Sequence, residues 1–422
     1  MKSIIIIASI VFLTAGSLYS QPGGISKPRG LNDLIESAVT GNSELSPIEY
    51  RRRAELTRKN QESMQPVPML EFMTEMIPTN LEGRPTYKAI LSQGIVMSDR
   101  LDQNKSLIEA SAIEQEIMKD VVRLQLIRDL KLNYFRLYLT EKLLEFNEEY
   151  VEILLSIIKS QEINYSVGRG VQNHILKSNN ELQKLELERL DLESARRVYI
   201  NNIEVLSNTK LDSTFRTRNV NLLLILNSPK PDTVKLIADM LENNPEFKLI
   251  DNKILMNKIQ RNIAGTDRTP DLMLKGGYSY NGEMYKNFIM VGLGISLPFV
   301  PWNSKRIDAK IEEAEVLDKM YLAEYENTMQ YLIKDMRNSL VRIETSLERL
   351  NYLRDVLLPQ TDQTFESSLT AYVSATDDFL NLLDSYRSLR EANLMLLEEQ
   401  ADYLMEVSEL EYITGKQIFI IN

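Results

Sequence analysis

Asn287–Leu317 reads NFIMVGLGISLPFVPWNSKRIDAKIEEAEVL, and two periods follow one another inside it. Ile289, Val291, Leu293, Ile295 and Leu297 alternate with Phe288, Met290, Gly292, Gly294 and Ser296. The first set is β-branched or leucine and the second is small or mixed, a period of two that suits a strand whose faces meet different surroundings. Pro298 and Pro301 end the ladder, because neither can donate a backbone hydrogen bond. Beyond Trp302 the apolar residues come at steps of three and four, from Ile307, Ile311, Ala314, Leu317 and Tyr321 on to Leu350, Leu353 and Leu357. No proline or glycine interrupts them before Pro359. The reading is a short strand feeding directly into a helix of about 50 residues, roughly 80 Å long.

The whole chain has 422 residues, of which 43% are apolar and 26% charged. That composition fits neither a disordered chain nor a multi-span helical membrane protein. A net charge of −11 argues against a nucleic-acid partner, which wants a basic surface. There is no cysteine and a single histidine, which removes disulfides, thiolate chemistry and zinc fingers. Lys2 followed by the apolar run Ile4–Leu13 and small residues reads as a signal peptide over 1–20, with cleavage after Ser17 or Ser20; the alternative is an uncleaved anchor. No later run is long and apolar enough for a spanning helix, so any membrane crossing must be made by strands.

The same plan occurs twice. After an irregular leader, 21–30, a first repeat covers 31–209: two helices, the second expected to start with Ser46 as N-cap and Pro47 inside, strands 69–77 and 87–97, and a helical hairpin 104–208 turning at Gly168-Arg169-Gly170. A linker fills 210–231. A second repeat covers 232–422, with strands 271–280 and 287–297 and a hairpin 303–414 that breaks near Ala375-Thr376. NSEL at 42–45 lines up with NPEF at 244–247, and Pro68 with Pro270. The fold class is mainly α with a small β part, a tandem repeat of strand pair and long antiparallel helical hairpin.

Such a chain is incomplete alone. Four strands cannot close a membrane barrel, for which about eight are the minimum. Open sheet edges are not tolerated in lipid. Hairpins roughly 90 Å long have little core of their own, so their apolar stripes must meet neighbours. Both arguments call for a cyclic homo-oligomer, with a strand barrel at one end and a helical tube below it. Tyr278, Tyr280, Tyr285 and Trp302 sit near strand ends, as an aromatic girdle or as ordinary strand residues. Glu71, Glu75 and Lys275 fall on the polar side of their strands, where a wet pore would lie.

Three stretches carry a resemblance: VGLGISLPF at 291–299 leading into KRIDAKIEEAE at 305–315, LLPQTDQTFESSLTAYVSATDDFLNLLDSYRSL at 357–389, and YLMEVSELEYITGK at 403–416. Through them the chain is similar to the TolC family of outer-membrane efflux channels, over nearly its whole mature length. DFLNLLDSYRSL, with the LLPQ and ELEYITG stretches, leans towards the branch paired with heavy-metal efflux pumps. The resemblance implies a homotrimer that closes a twelve-stranded barrel in the lipid of the outer membrane and continues as a periplasmic α-helical tunnel. It implies a passive, non-enzymatic duct whose tips dock a periplasmic adaptor (a membrane fusion protein) bound to an inner-membrane pump, carrying metal cations, drugs or polypeptide. The other function left open is a periplasmic coiled-coil adaptor or scaffold that does not cross the membrane.

In that family acidic residues in D-x-x-D spacing just past the second tip close the aperture. Here those positions are Asn381 and Asp384, so the first acid is replaced; Asp377 and Asp378 at the tip could supply the charge instead, or merely cap the returning helix. Adaptor docking would fall on Val167, Gly168, Arg169 and Gly170 of the first tip and Ser374, Ala375 and Thr376 of the second. Gly168 and Gly170 also have a plain cause in the reversal of the chain. His174, which corresponds to Asn381 in the repeat, reads as an ordinary surface residue before a metal ligand. The 17 methionines read as core packing. No metal site, cofactor motif or catalytic constellation is expected.

Overall fold

The structure, a computed structural model, describes residues 30–77, 84–168, 170–212, 214–219, 232–282, 284–374 and 378–418. The expected signal peptide, the leader before Gly30 and most of the linker lie outside the described residues.

Two short helices come first, α1 (Leu31–Gly41) and α2 (Leu45–Glu62). Helix α2 starts earlier than its sequence suggests. Glu44, not Ser46, is its N-cap, and no side chain caps it; Asn42 Oδ1 accepts the Glu44 N–H at 2.8 Å in the turn just before, so Pro47 lies within the first turn rather than opening it. Strands β1 (Met69–Glu75) and β2 (Thr86–Ile95) follow. Helix α3 (Arg100–Ser166) is 67 residues long, about 100 Å at the α-helical rise. Helix α4 (Gln172–Ser207) returns beside it. The order then recurs: α5 (Thr233–Asn243), α6 (Pro245–Thr266), β3 (Leu272–Asn281), β4 (Lys286–Ile295), α7 (Pro301–Tyr352), α8 (Leu358–Val373) and α9 (Phe379–Thr414).

Two boundaries carry physical content. Strand β1 stops at Glu75, short of the expected Ile77, where Met76 turns out of the ladder with φ 55°. At Pro359 the helix continues. A π-helical turn, Leu353–Leu357, joins α7 to α8 and lets out the backbone just before the residue that has no N–H to give.

The four strands form one antiparallel sheet in the order β1-β2-β3-β4. The β2–β3 pairing, with Ile90 opposite Gly277, joins the two halves of the chain. That leaves β1 and β4 as edges, each with one side that pairs with no strand among the described residues.

Below the sheet the helices bury two apolar clusters. The larger gathers Leu34 of α1, Leu130, Tyr134 and Phe135 of α3, Met240 of α5, Phe247 of α6, Met336 of α7 and Leu410 of α9. The smaller lies towards the tips. There Tyr150, Leu154 and Ile157 of α3 meet Leu185 of α4, Phe365 of α8, and Phe379, Leu382 and Tyr386 of α9. It locks one hairpin to the other.

Candidate functional site

The register of the sheet sorts its side chains into two faces. On one face lie Leu70 and Phe72 of β1, Tyr87, Ala89 and Leu91 of β2, Leu274, Gly276 and Tyr278 of β3, and Ile289, Val291 and Leu293 of β4. This face is apolar across all four strands, and nothing among the described residues covers it. Ile289, Val291 and Leu293 are 85%, 89% and 75% exposed. The opposite face carries Glu71, Glu75, Lys88, Ser92, Lys275 and Ser279, with Lys88 paired to Glu75 across β1 and β2. An apolar outside and a polar inside is the pattern of a strand wall between lipid and water. Phe299 and Trp302 stand exposed just past β4. Tyr278 and Tyr280 alternate onto the apolar face, and Tyr285 packs under the Arg84 guanidinium at the β3–β4 turn.

At the other end of the molecule are the hairpin tips. Gly168 has φ 75°, which supplies the reversal after α3. A Cβ on Gly170 would stand 2.7 Å from the Tyr165 nitrogen, so the return strand of the turn needs glycine there too. Arg169, Ala375, Thr376 and Asp377 lie outside the described residues.

Asn381 and Asp384 share the exposed face of α9, while Leu382, Leu383, Ser385 and Tyr386 turn inward. Asp378 occupies the N-cap position of α9, and its backbone carbonyl accepts from Asn381 N–H at 3.2 Å. Its side chain makes no capping hydrogen bond. Instead Asp378 Oδ1 stands 3.9 Å from His174 Nε2 on α4, and the imidazole lies against the Phe379 ring with centroids 4.8 Å apart. Two further pairs join the same two helices: Glu181 with Arg387, and Glu188 with Arg390.

Sequence reading missed this three-rung ladder. Its trace is the seven-residue spacing of His174, Glu181 and Glu188, which keeps them on one stripe of α4. Burial works against the charge of Glu181, but hydrogen bonds from Arg387 and Lys184 hold its carboxyl below the usual range. Behind the ladder burial pushes the Tyr150 phenol up to about 12, against a hydrogen bond from Asn393 that acts the other way. The Tyr386 phenol is raised as well, again by burial first. Among the described residues no three His, Asp or Glu side chains come together as a metal cluster.

No family model matches the chain. Over 196 residues it is 21% identical to the cobalt-zinc-cadmium resistance protein CzcC of Cupriavidus metallidurans, a match covering 46% of this chain and 45% of that protein. Over 165 residues it is 24% identical to the outer membrane protein TolC of Vibrio cholerae, covering 36% of each. These matches thus span less than half the length of either curated relative. The fold compares over nearly the full length: the outer-membrane channel OprN superposes with a TM-score of 0.76 at 18% identity, covering 91% of this chain and 89% of OprN. The chain has the fold of the outer-membrane channels. Its curated relatives are a metal-resistance protein and an outer membrane protein, each matched over less than half its length.

Proposed function

We propose that the protein is the exit duct of a tripartite efflux system, working as a homotrimer in the outer membrane. Three sheets side by side give twelve strands, β4 of one copy meeting β1 of the next, with Ile289, Val291 and Leu293 against lipid. The helices continue into the periplasm as a tube, and their tips meet a periplasmic adaptor bound to an inner-membrane pump. The single observation that carries this reading is the uncovered apolar face running across all four strands of a sheet with two open edges.

The duct is passive, and energy comes from the pump. Its cargo is proposed to be metal cations, on the strength of the likeness to a cobalt-zinc-cadmium resistance protein. Asp384 and Asn381, with Asp378 and Asp377 at the turn, are proposed to ring the narrow periplasmic mouth, where carboxylates attract cations. Gly168, Arg169, Gly170, Ala375 and Thr376 are the proposed adaptor contacts.

Fractionation and bilayer recording test the reading. The mature protein is expected in the outer membrane, extracted only by detergent, and Asp384→Ala is expected to raise single-channel conductance or weaken block by cations. Recovery in the soluble periplasm contradicts the duct, and unchanged conductance in the variant removes Asp384 from the mouth.

A further inference from the structure

We propose that the His174–Asp378 contact is a proton-operated latch on the tips, holding the second hairpin against the first when the imidazole is charged. The inference rests on the channel reading above and adds to it a control by pH. Three observations meet at this corner. The sole histidine of the chain is at the tip. Its Nε2 faces an aspartate that sits at a helix N-cap and yet makes no cap with its side chain. The contact is also the outermost rung of the ladder between α4 and α9. The two inner rungs, Glu181 with Arg387 and Glu188 with Arg390, join a carboxylate to a guanidinium, which stays charged at every physiological pH. Only the tip rung has a partner of the type that changes charge between about pH 5 and 8.

The surroundings favour a charge-dependent contact. From α9 come the Asp378 carboxylate and, beneath the imidazole, the Phe379 ring. From α8 comes the Tyr372 phenol, raised by burial, bonded by Asn164 of α3 and next to the Phe379 ring. Helix α4 itself carries Lys177 one turn on, and then the Glu181–Arg387 rung. The Phe379 ring fixes the imidazole plane, so a proton on Nε2 is presented to the carboxylate without ordering a mobile side chain. The sign follows. Aspartate in general stays ionised down to about pH 4, so in mild acid both partners are charged and the rung is made. Above about pH 7 histidine in general is neutral, and this attraction between α4 and the start of α9 is lost.

The test is open probability of the full-length protein in planar bilayers at about pH 7.5 and about pH 5.5, across the histidine range. The wild type is expected to open less at the lower pH, by a factor on the order of five, the size an exposed pair of this kind can carry. His174→Gln is expected to stay at the high level at both values. His174→Lys, charged throughout, is expected to stay at the low level at both. A wild-type response that persists in His174→Gln, or no response in the wild type, overturns the latch while leaving the duct standing. A protein that forms no channel contradicts the duct; the latch is then read by NMR titration of the single histidine in detergent. Its midpoint is expected to fall in Asp378→Asn, and an unmoved midpoint overturns the proposal.

Discussion

Asn42 and Asn244 make the same two hydrogen bonds in the two halves of the molecule. Asn42 Oδ1 accepts the Glu44 N–H at 2.8 Å, and its Nδ2 donates to the Leu206 carbonyl, also at 2.8 Å. Asn244 Oδ1 accepts the Glu246 N–H at 2.9 Å, and its Nδ2 donates to the Ile413 carbonyl at 2.9 Å. Each side chain holds the turn or cap that leads into a helix and pins it to the end of a returning long helix, α4 in one case and α9 in the other. Both asparagines are buried. An alanine leaves a backbone N–H and a helix-end carbonyl without that partner, at a cost on the order of 1 kcal/mol. Asn42→Ala and Asn244→Ala are each expected to lower the dissociation temperature of the detergent-solubilised complex. The double variant is expected to show the sum, because the two sites share no partner. Differential scanning fluorimetry checks both.

A second buried device holds α3 to α9. Lys131 pairs with Glu411, and both side chains are 8% exposed. Glu411 also accepts the Ile418 N–H at 2.8 Å, which ties down the chain after α9. Lys131→Met leaves the carboxylate buried without its cation and is expected to cost about 3–5 kcal/mol. Lys131→Met with Glu411→Met is expected to recover most of that loss, since buried pairs gain little over apolar packing. Thermal denaturation of single and double variants reads the difference.

Acid sensitivity should be low where α2 meets α3. Hydrogen bonds from Arg52 and then Arg53 hold the Glu49 carboxyl down to about 2, from an ordinary value of 4.5. A depressed carboxyl contributes stability that is complete above the ordinary value and is lost as pH falls through the depressed one. Its contribution should therefore persist at pH 4.5 and fade towards 2. Glu49→Gln is expected to flatten the stability profile in that window and leave its shape near neutrality unchanged. Melting temperature against pH is the check.

The two faces of β4 should respond oppositely to charge. Val291→Arg puts a guanidinium on the uncovered apolar face, at a cost of about 2–4 kcal/mol if that face meets the middle of the bilayer. Met290→Arg, one residue earlier, lies on the polar face in the row that holds Glu71 and should assemble normally. Heat-modifiable migration of the outer-membrane fraction distinguishes them.

What the sequence made legible was what local period and repetition encode. The change of period between Leu297 and Ile307 marked strand from helix, and NSEL with NPEF marked the two copies of one plan. The start of α2 is misread because Ser46-Pro47 looks like a helix opening, while the turn before Leu45 is held by Asn42, whose other partner, Leu206, lies far along the chain. The tip ladder was hidden for a related reason. Glu181 and Glu188 read as solvated charges until α9 brings Arg387 and Arg390 beside them. His174 was aligned with Asn381 by the repeat, but its side chain meets Asp378 and Phe379 instead.

The central claim is that one chain supplies a third of a closed wall. Native mass spectrometry of the protein extracted from outer membranes in mild detergent tests it most directly. A single species of three chains is expected, with the full chain weighing 48.7 kDa before any leader is removed. A stable one-chain species, present at every detergent concentration and still holding its strands, would contradict the account.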